Sequence, residues 1–247
     1  MTVARRAAVA EAIGTALLLA VIVGSGIMGE RLAGGNVAIA LLANSLATGF
    51  GLAALILVFA AVSGAHFNPL VTMLAAARKE LPWRAVPAYL LAQFAGALLG
   101  VAAAHAMFGE ALFAFSTKVR AGPAQWWSEV VATFGLILVI AGCARHGAKT
   151  VAAAVGAYIA AAYWFTASTS FANPAVTIAR AATDTFSGIR PDDAPGFIVA
   201  QIVGALIGLV LVLFLYPDAA KTADEVVVSH RPNASPTKLQ HDRRSST

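Results

Sequence analysis

The chain has 247 residues, of which 59% are hydrophobic and only 12% charged, with a formal net charge of +5. A water-soluble domain carries about 25% charged residues, so this composition excludes one. A single cysteine, Cys143, excludes an internal disulfide and reads as a small packing residue in a helix.

In chain order, Arg5 and Arg6 precede a first charge-poor run, Ala12–Met28. Glu11 interrupts its start and no small-x-small cleavage site follows, so the run reads as a retained helix and not as a signal peptide. Further runs cover Val37–Val62, Val86–Phe108, Val130–Ala144, Val151–Val176 and Gly196–Tyr216. Most approach or exceed the ~20 residues that a helix needs to cross about 30 Å of hydrocarbon. None alternates with period two, which disfavours a transmembrane barrel. The reading is an all-α membrane protein with six spanning helices in a transmembrane domain over 1–220. Residues 221–247 are polar, hold Pro232, Pro236 and "DRRSST", and read as a disordered cytoplasmic tail. With both ends inside, twelve Lys and Arg residues fall on the cytoplasmic side and five on the other, in line with the positive-inside rule. Nothing in the pattern points to nucleic acid.

The chain is internally duplicated. "EAIGT" at Glu11–Thr15 returns as "EVVAT" at Glu129–Thr133, and "AQFAGALLG" at Ala92–Gly100 returns as "AQIVGALIG" at Ala200–Gly208. Between these landmarks stand "SGAHFNPLVT" at Ser63–Thr72 and "STSFANPAVT" at Ser168–Thr177, their Asn-Pro pairs 105 positions apart. The repeats run over about 7–108 and about 126–217. Each holds three spanning helices, so the second enters the membrane inverted. Inverted repeats place a site near the midplane where broken helices meet.

Proline is at home in the first helical turn, where its missing N–H would have no partner, and asparagine is a favoured N-cap. Asn68, Pro69 and Leu70, and Asn173, Pro174 and Ala175, therefore each start a helix too short to span. Irregular backbone at that depth is tolerated only inside protein or against a water-filled cavity. Inversion brings the two N-terminal ends together, and their partial positive charge repels cations and hydrated protons. The asparagine amides can donate to a passing neutral solute. These features imply a pore for small uncharged solutes.

On these motifs, over roughly Ala7–Pro217, the chain resembles the major intrinsic protein family of aquaporins and aquaglyceroporins. The resemblance implies six tilted helices plus two re-entrant half-helices, one pore per subunit and a homotetramer in lipid. It implies a passive channel with no enzymatic activity, cofactor or metal. Asn68 and Asn173 match the pore asparagines, and His66 matches a histidine of the cytoplasmic vestibule. Glu11 and Glu129 are carboxylates at membrane depth, where such groups are costly and functional. The resemblance makes each an acceptor for the backbone of a re-entrant loop. The rival reading is a proton relay in a coupled transporter.

The chain departs from the family at two places. The first motif has Leu70 where alanine is usual. The second is followed by Val176 where most members have the filter arginine. Arg180 lies one helical turn further on and is not expected to replace it. Counting from the motifs assigns Thr48, Ala161, Ser170 and Val176 to a wide, uncharged filter. A loop two residues shorter would put Phe50 and Tyr163 in place of Thr48 and Ala161. The stretch "AYWFTASTSFANPAVTIARAATDTFSGIRP" resembles a bacterial subgroup associated with arsenic resistance. That implies a bacterial inner membrane and passage of glycerol-like polyols and neutral metalloids such as arsenite, with ions and protons excluded. Water, peroxide or ammonia are the alternative cargoes within the family.

Overall fold

The computed structural model describes residues 3–216; the polar segment 221–247 lies outside them. Eight α-helices follow one another among the described residues: α1 (Val3–Leu32), α2 (Val37–Ser63), α3 (Pro69–Ala77), α4 (Val86–Phe108), α5 (Pro123–Ala144), α6 (Ala148–Phe165), α7 (Pro174–Arg180) and α8 (Ala194–Leu215). Six are long and apolar enough to cross a membrane, and α3 and α7 are not. The order long, long, short, long occurs twice. The first helix extends back past Arg5 and Arg6 to Val3, and the apolar run through Val176 is broken after Phe165.

Packing follows the duplication. In the first half α1 lies against α2 and α4, in the second α5 lies against α6 and α8, and α2 against α6 joins the halves. The tightest approaches use the repeated glycines. A Cβ on Gly96 would strike the Ala12 carbonyl, and one on Gly204 would strike the Val130 carbonyl. Small residues let membrane helices touch backbone to backbone, so these glycines set the α1–α4 and α5–α8 distances.

Polarity is inverted relative to a soluble domain. Phe50, Leu91, Val210 and Phe214 face outward and exposed, while Glu11, Gln93, Glu129 and Gln201 have no accessible surface. The exterior suits hydrocarbon, and each buried polar group needs a partner inside.

Candidate functional site

The half-helices start as their sequences require. Asn68 is extended (φ −149°) and its Oδ1 accepts from Leu70 N at 3.0 Å. Asn173 is likewise extended, and its Oδ1 accepts from Ala175 N at 2.9 Å and Val176 N at 3.3 Å. The side-chain nitrogens cross between the halves. Asn68 Nδ2 donates to the Ala172 carbonyl and Asn173 Nδ2 to the Phe67 carbonyl, each at 2.8 Å. Each amide has two N–H groups, so one is used to lock the two loops together and one is left over. Pro69, Pro174, Leu70 and Ala175 are buried beside them.

The loops leading into the half-helices contain left-handed backbone at matching places: Ala65 (φ 51°) and Phe67 (48°), then Ser170 (51°) and Ala172 (50°). Such conformations at non-glycine residues cost roughly 1–3 kcal/mol each and persist only where surroundings impose them. Two carboxylates impose them here. Glu11 accepts from His66 N, Phe67 N, Ser63 Oγ and Gln93 Nε2 at 2.6–2.9 Å. Glu129 accepts from Phe171 N, Ala172 N and Gln201 Nε2 at 2.7–2.8 Å. Each glutamine also donates to a half-helix threonine, Gln93 to Thr72 and Gln201 to Thr177, both at 2.9 Å. The repeated "Q" of the third and sixth spans is thus the link between carboxylate and half-helix, a role that sequence reading missed although the repeat exposed it.

A cavity runs between the two halves. At the face where α1 begins, its rim includes Arg78, Glu80, Ala144 and Ala148. Arg78 Nε donates to Glu80 Oε1 at 2.6 Å, and burial raises the Glu80 carboxyl above its ordinary value against the opposing pull of Arg78. Deeper in lie His66, Asn68 and Asn173. The His66 ring is held by Thr72 Oγ1 at 3.1 Å and packs on Tyr89. The wall is otherwise apolar, with Leu18, Ile56, Leu136, Ile140, Val155 and Ile159 among its residues. Toward the opposite face stand Thr48, Tyr163, Ser170, Val176 and Arg180.

One favoured position, Ala161, is corrected, and one of the two alternatives, Phe50, falls away. Ala161 is exposed on the outside of α6 and does not line the cavity; Tyr163 does, buried and donating to Thr48 Oγ1 at 3.2 Å. Phe50 is 74% exposed on the lipid-facing side of α2, while Thr48 lines the cavity. The cavity is thus lined by the ungapped count on α2 and by the shortened one on α6. Tyr163 in place of Ala161 makes the lining narrower and richer in hydroxyls than a Thr-Ala-Ser-Val set.

Arg180, which the sequence does not put in the place of the family's arginine, lines the cavity as well. It lies four residues beyond Val176 on α7, hence on the same helix face. Its guanidinium lies 3.4 Å from the centre of the Phe171 ring, and Nε donates to the Ser187 carbonyl. A second arginine, Arg120, comes from the segment between α4 and α5. It also lies over Phe171, at 5.2 Å, with Nε donating to the Gly188 carbonyl at 2.8 Å and Nη1 to the Ser168 carbonyl at 3.2 Å. Consecutive carbonyls, Ser187 and Gly188, thus hold the two guanidinium groups. No sequence signal marked Arg120, since its partners are 48 to 68 residues away. Among the described residues no three His, Cys, Asp or Glu side chains converge to hold a metal ion.

Comparison with known proteins agrees with this architecture. The family model described as "Major intrinsic protein" matches residues 2–150 and 141–240. Aquaglyceroporin AqpS of Rhizobium meliloti (strain 1021) is 52% identical over 214 residues, covering 87% of this chain and 91% of the relative. Aquaporin NIP1-1 of Zea mays is 39% identical over 117 residues, 44% of this chain and 42% of that one. The X-ray structure of the aquaglyceroporin from Plasmodium falciparum shares the fold, with a TM-score of 0.65 at 21% identity over 87% of this chain and 98% of that one. The chain belongs to the major intrinsic protein family, whose members are channels and not enzymes, and it is a multi-pass membrane channel for small neutral solutes.

Proposed function

We propose that this channel passes glycerol-like polyols and neutral trihydroxy metalloids such as arsenite, and excludes ions and protons. The observation that carries the reading is the lining near Val176. Three hydroxyl-bearing residues, Thr48, Tyr163 and Ser170, line the cavity together with the apolar Val176. A polyol has the same two-sided character, hydroxyls along one edge and C–H along the other. Pore diameter and lining donors set selectivity in such channels, and valine leaves space that the family's arginine would fill. The 52%-identical relative is an aquaglyceroporin by name, which supports the polyol part of that cargo.

In this reading Asn68 and Asn173 are the pore asparagines, Thr48, Tyr163, Ser170 and Val176 form the filter, and His66 lines the vestibule. Glu11 and Glu129 are supports for the loops. Their oxygens are already engaged by four and three donors, which disfavours proton exchange in a coupled transporter. The face where α1 begins is cytoplasmic by its excess of Lys and Arg, in a bacterial plasma membrane. The exposed apolar flanks of the spanning helices serve lipid and the contacts of a homotetramer.

The test is stopped-flow and uptake measurement on proteoliposomes with water, glycerol, arsenite and ammonia in parallel. Saturation-free glycerol and arsenite flux well above protein-free vesicles is expected, unaffected by an imposed pH gradient. Water flux with neither glycerol nor arsenite flux would overturn the proposal.

A further inference from the structure

Two arginines are buried near the mouth opposite the face where α1 begins, and neither has a carboxylate. The salt bridges among the described residues join Arg31 to Glu110, Arg78 to Glu80 and Arg190 to Asp193. Arg180 is 2% exposed and Arg120 8%. The nearby acids are engaged elsewhere: Asp184 accepts from Thr117, Asp193 from Arg190 and the Arg120 backbone N–H, and both Glu129 oxygens from the loop and Gln201. Buried charge without a counter-charge is costly, and within membrane proteins it marks function. The Phe171 ring and the Ser187 and Gly188 carbonyls offset part of that cost. They supply partial negative charge only, so the pair stays cationic.

Two residues with donors left over line the cavity. Arg180 lines it, and only its Nε has a hydrogen-bond partner among the described residues. Its two Nη groups are free donors in a planar fork. Ser170 also lines the cavity, and its Oγ is buried with no partner. Ser170 directly precedes Phe171, over whose ring both guanidinium groups lie, and a guanidinium fork suits a small planar oxyanion, which takes two parallel N–H bonds from one arginine.

We propose that this mouth holds a binding subsite for a small monovalent oxyanion of the carboxylate or nitrate type, seated on Arg180 and Ser170 with Arg120 adding charge. The anion sits at the mouth of the neutral-solute path and obstructs it. The proposal rests on the channel reading and on the lumenal position of Arg180, not on which neutral solute is carried.

The test uses the purified full chain and two readouts. The first is thermal stability against sodium formate and sodium nitrate, with ionic strength held constant by gluconate, a bulkier anion. A ligand that binds only the native state raises its stability in a saturable way. The parent is expected to show a saturable rise, reduced several-fold in Ser170→Ala and abolished in Arg180→Gln. Arg180→Lys keeps the charge but loses the fork, and is expected to retain a weakened response. The second is stopped-flow water or glycerol flux, whichever the parent supports, with formate added on either side. Saturable block in the parent and its loss in the variants is the expected result. No saturable stabilisation of the parent, or an equal response in parent and Ser170→Ala, would overturn the subsite. If Arg180→Gln does not fold, Ser170→Ala decides. Because the stability readout needs no flux, failure of the polyol proposal leaves this test intact.

Discussion

Tyr163 donates its phenolic hydrogen to Thr48 Oγ1 at 3.2 Å, tying α6 to α2 at the cavity wall. The bond crosses the junction between the two repeats, since α2 and α6 belong to different halves. It also orients the hydroxyls of two residues that line the cavity and belong to the proposed filter. Tyr163→Phe keeps the ring and its packing and removes only this bond. A net loss of about 1 kcal/mol in stability is expected, together with a several-fold fall in the glycerol-to-water permeability ratio. Thermal melts and paired flux measurements check both. An unchanged ratio would remove the Tyr163 hydroxyl from solute selection.

The crossed amides make a different prediction. Asn68 and Asn173 each use one N–H to bond the opposite loop. Asp in either place presents an oxygen to the carbonyl of Ala172 or Phe67, so an acceptor faces an acceptor. It also introduces an ionisable group at the midplane. Asn68→Asp and Asn173→Asp should each cost roughly 1–3 kcal/mol from the lost and repelled contact, and solute flux should fall sharply in whatever protein folds. Normal yield with unchanged flux would remove these residues from the pore.

Glu11 and Glu129 differ by one donor, and that difference can be measured. Glu→Gln replaces one acceptor oxygen by an NH2 group, which then faces a backbone N–H or a glutamine N–H. Glu11 has Ser63 Oγ in addition to the two backbone groups and Gln93. Because its partner set is larger, Glu11→Gln should destabilise more than Glu129→Gln, each by roughly 1–3 kcal/mol. Folded yield and melting temperature should fall while the ranking of solutes stays the same. Intact yield with loss of a pH-dependent component of flux would instead establish a proton relay.

The main elements were legible in the sequence because their causes are local. Charge-poor runs mark the spans, and Asn-Pro marks a capped helix start wherever it occurs. The cavity lining was only partly legible because its register depends on a loop length hidden inside an uninterrupted apolar run. An error of two residues turns a helix by about 200°, enough to exchange the buried Tyr163 for the exposed Ala161. The same turn separates Thr48 from Phe50. Arg180 was visible as a residue on the right helix face, but its burial depends on Phe171 and on the Ser187 carbonyl. Arg120 depends on contacts still more distant in the chain. Such long-range partners leave no periodic trace.

Val176→Arg tests the filter and the outer arginines together. Val176 and Arg180 lie one turn apart on the short helix α7, so the substitution creates a like-charge pair at i, i+4. Such pairs destabilise a helix by about 0.2–0.5 kcal/mol when exposed, and the penalty grows when the charges are buried. The new guanidinium also fills space beside Thr48, Tyr163 and Ser170 and adds donors there. Glycerol and arsenite permeation should drop markedly, with water permeation reduced less. Val176→Ala, which removes volume and adds no charge, should leave large-solute flux intact or raised. The double variant Val176→Arg with Arg180→Gln relieves the repulsion and returns the arginine to the position that most of the family uses. It should therefore recover folded yield relative to Val176→Arg while still excluding glycerol and arsenite. If folded Val176→Arg passes arsenite as fast as the parent, Val176 does not line the narrowest point. The selective step would then lie elsewhere along the cavity.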